Sequence, residues 1–263
     1  MLLSETPFPA AYSFPWTQGK VGLGSMRKHR GAFIYRPHPS LPPLPGEGAK
    51  TLPAMKTTTL IIIRHGETFW NREQRIQGHL DSTLTPEGIA QAEACARRLR
   101  DEAIDIVIAS DLNRVQHTAK ILTDGRNLPT TFDASLRERG FGIGEGMTYA
   151  EMESKYPQMF STTGLVDAEF TLPQGESRAV FHQRVKASIE GLAIAHAGKR
   201  VLVVTHGGVL GAIYRWLNDL PVGAQRIAIP NVGYNRLSAG PGGWKIEVWG
   251  DTSHLTVDTF EAG

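Results

Sequence analysis

The sequence predicts a three-layer α/β/α sandwich with a mostly parallel central sheet and an antiparallel edge. Two runs of aliphatic residues without polar alternation, at 60–63 and 201–204, are typical of strands covered by helices on both faces. Segments with helical periodicity alternate with the strand-like segments, as in parallel strands joined by crossover helices. Two strand-like segments near the carboxyl terminus, Tyr234–Ser238 and Trp244–Trp249, predict the antiparallel edge.

The first predicted helix follows a loop at 68–83. Thr85 and Pro86 are residue types that favour an N-cap and the first helical position, so we expect a helix from Pro86 to about Arg100. Its expected apolar stripe comprises Ile89, Ala92, Ala96 and Leu99.

The second half of the sheet is predicted from similar signals. A strand at 105–109 ends at Ser110 and Asp111, which are expected to cap the next helix. The later elements are expected as a helix to about Leu122, a short strand at 130–133, a glycine-rich loop at 136–146, a helix near 149–156, an irregular stretch to Pro173 and helices at about 176–196 and 207–217.

Residues 1–54 differ in composition from the rest of the chain. They are rich in proline and glycine and show neither helical nor strand periodicity. Such a segment buries too little apolar surface to offset its ordering entropy, so we expect a disordered extension. The alternative is a start codon assigned too early, because Met55 leads directly into the first strand. Residues 55–263 are expected to form one folded domain.

Composition excludes several classes of protein. The net charge of the 263 residues is +2, and no run of Lys and Arg reaches the density that nucleic-acid or membrane-surface binding requires. The single cysteine, Cys95, excludes an intramolecular disulfide, and a cytoplasmic location is expected. No apolar stretch approaches the length of a membrane span. Apolar edges near the antiparallel pair would allow a homodimer.

Both apolar runs end in the same way. The first is followed by Arg64, His65 and Gly66, and the second ends at Thr205 before His206-Gly207-Gly208. The carboxyl ends of neighbouring parallel strands meet at one edge of a sheet, so we expect the two imidazoles to lie side by side there. A histidine needed only for the core has no reason to occupy the end of a buried strand in both places.

These residues have the chemistry of a phosphoryl site. Arg64 offers a planar fork of donors for phosphate oxygens, and Arg114, early in the helix after the second strand, is expected to point to the same crevice. The sequence shows no metal-ligand spacing, so side chains alone would neutralise the charge. One imidazole would attack phosphorus, and Glu138 in the glycine-rich loop is the best-placed donor of a proton to the leaving oxygen, with Glu145 as the alternative.

Four motifs then resemble the histidine phosphatase superfamily, in its phosphoglycerate-mutase-like branch. The matching residues are Arg64-His65-Gly66-Glu67-Thr68 with Asn71, Ser110-Asp111-Leu112 with Arg114, Thr118 and Ala119, Leu136 with Glu138, Gly142 and Gly146, and Thr205-His206-Gly207-Gly208. The resemblance covers about residues 58–255 and implies that 55–263 is a histidine phosphatase catalytic domain with the phosphoglycerate-mutase-like fold.

The resemblance also implies roles for individual residues of the site. His65 would be phosphorylated, Arg64, Arg114 and His206 would hold the phosphoryl oxygens, and Glu138 would act as acid and then as base. The substrate side would be lined by Asn71, Gln77, Gly78, Gly207 and Arg139.

The preferred function is a metal-independent phosphomonoester hydrolase for a small phosphorylated metabolite, with no cofactor. Cofactor-dependent mutases of the family carry a long basic insertion after the glycine-rich loop, whereas residues 147–172 offer only Lys155 as a cation. Phosphoglycerate mutase, with 2,3-bisphosphoglycerate as cofactor, is the alternative, because Arg139 and the Glu176-Ser177-Arg178 turn suit both activities. A catalytically weak module that only binds a phosphorylated ligand is the third hypothesis.

Overall fold

The computed structural model describes residues 56–160, 166–224 and 227–255, so the expectations for residues 1–54 concern a segment outside the described residues. The strands are β1 (Thr58–Arg64), β2 (Ile106–Ala109), β3 (Thr130–Phe132), β4 (Arg200–Thr205), β5 (Tyr234–Gly240) and β6 (Gly243–Asp251). The helices are α1 (Phe69–Arg72), α2 (Pro86–Arg98), α3 (Asn113–Leu122), α4 (Tyr149–Lys155), α5 (Arg178–Ala195) and α6 (Gly207–Leu217).

The sheet has the order β3-β2-β4-β1-β5-β6. β1 pairs in parallel with β4, and β2 pairs in parallel with both β4 and β3. β5 runs antiparallel to β1, and β6 runs antiparallel to β5. The predicted mostly parallel sheet with an antiparallel edge is therefore confirmed, and β1 and β4 lie side by side at its centre.

Helices cover both faces of the sheet. Leu60 and Ile62 of β1 pack on one face with residues of α5 and α6, such as Phe181 and Ile213. Ile61 and Ile63 belong to the cluster on the other face, which contains residues of α2 and α3. All four β1 side chains are 0% exposed, and each contributes about 1.5–3 kcal/mol through burial. Burial on both sides explains why β1 lacks polar alternation.

Two details of the helices differ from the expectations. The buried stripe of α2 comprises Gly88, Ala92, Cys95 and the adjoining Leu99, whereas Ile89 and Ala96 are only half-buried. The small Cys95 side chain faces the sheet because it follows Ala92 by three positions and precedes Leu99 by four. The short helix α1 lies inside the predicted loop and is stabilised by a capping box between Thr68 and Asn71.

The cap predicted for α3 is also wrong. The N-cap position is Leu112, which has no side chain able to cap, and the carboxylate of Asp81 accepts the N–H groups of Asn113 (2.9 Å) and Arg114 (3.4 Å) instead. Asp111 pairs with Arg137, and Ser110 bonds His206. The helix terminus is thus satisfied by a residue from a distant loop.

A third apolar cluster lies beside the glycine-rich loop. It comprises the buried residues Ile76, Met152, Met159 and Leu172. This cluster connects α4 to the loop that follows β1. No helix in the described part of the chain has the length and apolar character needed to cross a bilayer.

Candidate active site

The two histidines meet at the carboxyl ends of the central strands. Arg64 pairs with Thr205 in the parallel register of β1 and β4, so His65 and His206 are each the first residue beyond a paired position. Their ring centroids are 5.4 Å apart, and the ring planes meet at 65°. The structure therefore brings the two imidazoles together at the edge where the sequence places them.

His65 is held in one tautomer. Its Nδ1 lies 2.8 Å from the carbonyl oxygen of Gly66. A carbonyl oxygen can only accept a hydrogen bond, so Nδ1 carries the proton and Nε2 keeps a free lone pair in the neutral ring. Burial, followed by the charges of Arg114 and Arg64, holds the pKa of His65 well below its usual range. The ring is therefore neutral, with a free lone pair on Nε2, and lies next to fixed positive charge.

His206 is oriented by a hydroxyl group. Its Nε2 lies 2.8 Å from Oγ of Ser110, and this Oγ also accepts the N–H of Leu112 at 3.5 Å. A serine hydroxyl has one proton and two lone pairs, so Oγ can donate to Nε2 or accept from it, and the contact orients the ring in either case. Nδ1 is buried and has no hydrogen-bond partner among the described residues. Burial and the charge of Arg114 are the main causes that hold the pKa of His206 well below its usual range.

Arg64 is fixed by the segment that leads into β5. Its guanidinium donates to the carbonyl oxygen of Ile229, and its own carbonyl oxygen accepts the N–H of Val232 at 3.1 Å. Asn231 donates from Nδ2 to the carbonyl oxygen of His65 at 2.9 Å. Gly207 lies against the guanidinium, because a Cβ there would be 3.2 Å from Nε of Arg64. An alanine at 207 would require the Arg64 side chain to shift by a few tenths of an ångström.

Arg114 is almost completely buried and held by the loop at 77–81. It donates to the carbonyl oxygens of Gly78 (2.7 Å) and Leu80 (2.8 Å) and forms an ion pair with Asp81 at 2.8 Å. Burial lowers the pKa of Arg114, and the carboxylates of Asp81 and Glu138 act in the opposite direction. Its Nε is buried and has no partner in the described part of the chain, so a donor remains for a ligand.

Glu138 reaches the amino terminus of α6. Its Oε2 accepts the N–H of Gly208 at 2.9 Å, and its Oε1 accepts the N–H of Arg139 at 2.9 Å. The free N–H groups and the dipole at a helix start favour a carboxylate there. A Cβ at Gly208 would lie 1.9 Å from Oε1, so only glycine leaves room for this arrangement. His206 immediately precedes α6, so Glu138 lies beside the histidine pair.

Glu145, the alternative acid, is a brace between loops. Its Oε1 accepts the N–H groups of His79 (3.0 Å) and Phe141 (2.9 Å), and its Oε2 accepts the N–H of Leu80 (3.2 Å). A Cβ at Gly78 would be 2.1 Å from Oε1, and Gly78 has a positive φ of 56°. The carboxylate therefore fixes the loop that holds Arg114, and this geometry favours Glu138 as the acid.

The residues predicted to line the substrate side differ in their contacts. The side-chain oxygen of Asn71 accepts the N–H of Thr68 and, at 3.4 Å, a hydrogen bond from Asn231. Gln77 is buried, and its Oε1 has no partner among the described residues. Nε of Arg139 donates to the carbonyl oxygen of Glu176 at 2.8 Å.

Several positioning residues were absent from the sequence-based predictions of the site. They are Asp81, Ser110, Asn231 and Gly208. Ser110 and Gly208 follow strand ends, so their proximity to the crevice was a usable signal. Asp81 and Asn231 lie in loops without a periodic pattern, and only the folded chain shows their contacts. Within the described residues, no group of three or more His, Cys, Asp or Glu side chains is arranged to hold a metal ion.

Comparisons with known proteins agree with this geometry. A family model described as histidine phosphatase superfamily (branch 1) matches residues 60–252. A probable phosphoglycerate mutase, GpmB, of Yersinia pestis (strain Pestoides F) is 36% identical over 211 residues, which cover 76% of this chain and 96% of the relative.

Solved structures show the same relationship. YhfR of Bacillus stearothermophilus has a TM-score of 0.71 and 32% identity, with coverage of 75% of this chain and 99% of that chain. A putative alpha-ribazole-5'-P phosphatase of Escherichia coli K-12 has a TM-score of 0.65 and 28% identity, with coverage of 74% and 97%. The chain thus belongs to branch 1 of the histidine phosphatase superfamily, an enzyme family that acts on phosphorylated substrates.

Proposed function

We propose that this protein is a metal-independent phosphomonoester hydrolase that works through a phosphohistidine on His65. The observation that carries the proposal is the tautomer of His65. Its Nδ1 is committed to the carbonyl oxygen of Gly66, and a depressed pKa keeps Nε2 unprotonated beside two arginines. A neutral imidazole next to fixed positive charge suits attack on an anionic phosphoryl group.

The steps of the proposed reaction balance without a cofactor. Nε2 of His65 forms a bond to phosphorus while the bond between phosphorus and the leaving oxygen breaks, and Glu138 gives its proton to that oxygen. Water then attacks phosphorus while the bond between phosphorus and Nε2 of His65 breaks, Glu138 takes a proton from this water, and inorganic phosphate leaves. Arg64, Arg114 and His206 would stabilise the charge on the equatorial oxygens in both steps.

Hydrolysis is favoured over transfer to a second hydroxyl by the segment after the glycine-rich loop. Residues 147–172 contain one cation, Lys155, which is exposed on α4. A mutase must hold further anionic groups of its substrate, which requires extra cations that face the site. This segment does not supply them.

Phosphoglycerate mutase activity is the second candidate, since Arg139 carries positive charge next to Glu138 and interacts with a further arginine, Arg178. Burial and the charge of Arg178 lower the pKa of Arg139 to about 10, and Arg215, Arg178 and Arg139 together act on His182. These arginines would suit a second anionic group of a substrate. In that case 2,3-bisphosphoglycerate would be the cofactor. A curated relative is also named a probable mutase.

Product analysis of the full chain separates the candidates. The protein would be incubated with 3-phosphoglycerate, with and without 2,3-bisphosphoglycerate, and with an aryl phosphate, while free phosphate and 2-phosphoglycerate are measured together. Free phosphate without isomer supports the hydrolase. Fast isomerisation with little free phosphate would replace the hydrolase by the mutase.

Trapping of the intermediate tests the phosphohistidine itself. After rapid acid-free quenching of a reaction with labelled substrate, the label is expected on His65 and is expected to be absent in His65→Ala. His117→Ala, at an exposed position of α3, is the matched control and should keep the label. A wild-type protein that binds substrate but takes up no label would be a binding module.

A further inference from the structure

Arg184 lies on α5 and contacts the segment that carries Glu138. Its Nη1 donates to the carbonyl oxygens of Ser135 (2.8 Å) and Arg137 (3.1 Å), and its Nη2 donates to the carbonyl oxygen of Glu138 (3.3 Å). Three carbonyl oxygens within four residues of backbone therefore accept hydrogen bonds from one guanidinium. The pocket chemistry described above does not use this side chain.

Glu176 holds Arg184 from the other side. Its carboxylate accepts Nε at 2.9 Å and Nη2 at 2.8 Å, a bidentate pair in which the side chains are 24% and 15% exposed. The backbone of Glu176 also donates to the carbonyl oxygen of Gly140 (2.8 Å) and accepts Nε of Arg139 (2.8 Å). The pair thus fixes the chain on both sides of Glu138.

The carboxylate of Glu138 depends on that backbone. One of its oxygens accepts the N–H of Arg139 in the same loop, and the other must reach the N–H of Gly208 on α6. A shift of the loop relative to α6 would break one of the two bonds. Arg184 touches only the carbonyl oxygen of Glu138, so it acts on the carboxylate through the backbone.

We propose that Arg184, oriented by Glu176, is a positioning residue that holds the Glu138 carboxylate at the start of α6. This inference rests on the proposed role of Glu138 as the acid and base. Misplacement of a catalytic group by about 1 Å can cost about 10²-fold in rate. Lysine at 184 would keep the charge but lose the planar fork that binds three carbonyl oxygens and a carboxylate.

The test compares Arg184→Lys with a matched control, Arg137→Lys, in the loop that carries Glu138. Arg137 also forms a bidentate pair, with Asp111 at 2.7 and 2.6 Å, but its side chain makes no hydrogen bond to Glu138. The kcat/KM for an alkyl phosphate, whose leaving oxygen needs a proton, is compared with that for a nitrophenyl phosphate, whose leaving group does not, because kcat/KM reports phosphohistidine formation and not the later attack of water. Arg184→Lys should lose about 10-fold or more with the alkyl ester and little with the aryl ester, whereas Arg137→Lys loses neither.

Equal losses with both esters would overturn the positioning role, since a general disturbance of the fold does not distinguish leaving groups. Glu138→Gln is measured in parallel. If it shows no leaving-group dependence, the acid role itself fails. If it does and Arg184→Lys does not, only the present inference fails.

Two further variants keep the test decisive. Combining Arg184→Lys with Glu138→Gln should add little to the leaving-group-dependent loss, because both act on one carboxylate. Additive losses would contradict the proposal. If Arg184→Lys does not fold, Glu176→Gln removes the orienting charge and leaves the arginine in place. Glu176→Gln should also lose more activity with the alkyl ester than with the aryl ester, but the difference should be smaller than for Arg184→Lys. Equal losses with the two esters in Glu176→Gln would also overturn the proposal.

Discussion

Ser110 and Gly208 influence the site through one hydrogen bond each. Oγ of Ser110 forms a hydrogen bond with Nε2 of His206, and the N–H of Gly208 donates to Glu138. Neither residue is expected to touch the reacting atoms, but each sets the orientation of a group that does. Single substitutions at these positions therefore test the geometry of the site without removing its chemistry.

Ser110→Ala should leave the fold intact and reduce kcat/KM by up to about 10-fold. The hydrogen bond that orients the ring of His206 is worth about 0.5–1.5 kcal/mol, and about 1.36 kcal/mol corresponds to a factor of ten in rate. Steady-state kinetics with an aryl phosphate measures the loss. Ser110→Thr keeps the hydroxyl and serves as the control, and unchanged kinetics in Ser110→Ala would show that His206 needs no such hydrogen bond.

Gly208→Ala should reduce turnover of alkyl phosphates by about 10²-fold, because the new Cβ would occupy the place of the Glu138 carboxylate. Gly211→Ala, one turn later on α6, meets only the tip of the Arg215 side chain at 3.1 Å and is the matched control. It should be close to wild type in activity, and slightly stabilised by the better helix propensity of alanine. Similar kinetics of the two variants would contradict the placement of Glu138.

At the level of elements, Asp81 connects the cap of α3 to the orientation of Arg114. We expect Asp81→Ala to lower the free energy of unfolding by at least about 1 kcal/mol through loss of the cap. We also expect kcat/KM to fall by about 10-fold or more, because a hydrogen bond to a charged group is worth about 1.5–3 kcal/mol. Urea unfolding and steady-state kinetics give the two values.

Thr148→Ala is the control for Asp81→Ala, since Thr148 caps α4 through Glu151 and makes no contact with Arg114. It should lose stability by a similar amount and keep its activity. A loss of activity that matches the loss of stability in both variants would mean that the effect of Asp81 is not specific to Arg114.

The elements were largely predictable because their signals are local. Apolar runs identified β1 and β4, and Thr85 with Pro86 marked the start of α2. The strand ends gave the positions of His65 and His206. The cap of α3 could not be predicted, because Asp81 reaches it from a loop that is distant in sequence. The braces formed by Glu145 and Arg184 depend equally on tertiary contacts.

For the whole molecule, buried histidines predict a loss of stability in acid. Burial and the charges of Arg215, Arg178 and Arg139 lower the pKa of His182 to about 4 from its usual 6.5, and the pKa values of His65 and His206 are lowered as well. Between about pH 4 and pH 6.5, His182 binds a proton in the unfolded chain but not in the folded chain. Stability from this source is present above pH 6.5 and decreases as the pH falls towards 4.

His182→Gln should therefore flatten the acid side of the stability curve. The free energy of unfolding is measured by urea denaturation between pH 4.5 and 8 for the wild type, His182→Gln and His117→Gln, whose site is an exposed position on α3. The difference between His182→Gln and wild type should shift in favour of the variant as the pH falls. Parallel curves would show that His182 is not protonated on unfolding in this range.

The central position of β1 has a consequence for the order of synthesis. Among the strands of the described residues, β1 is the first to be synthesised, but both of its neighbours, β4 and β5, come from the last third of the chain. The aliphatic side chains of β1 therefore remain without their partner strands until Arg200 and later residues have been synthesised. Interrupted synthesis would release fragments with an exposed apolar strand and only one of the two histidines, so such fragments are expected to aggregate and to lack turnover.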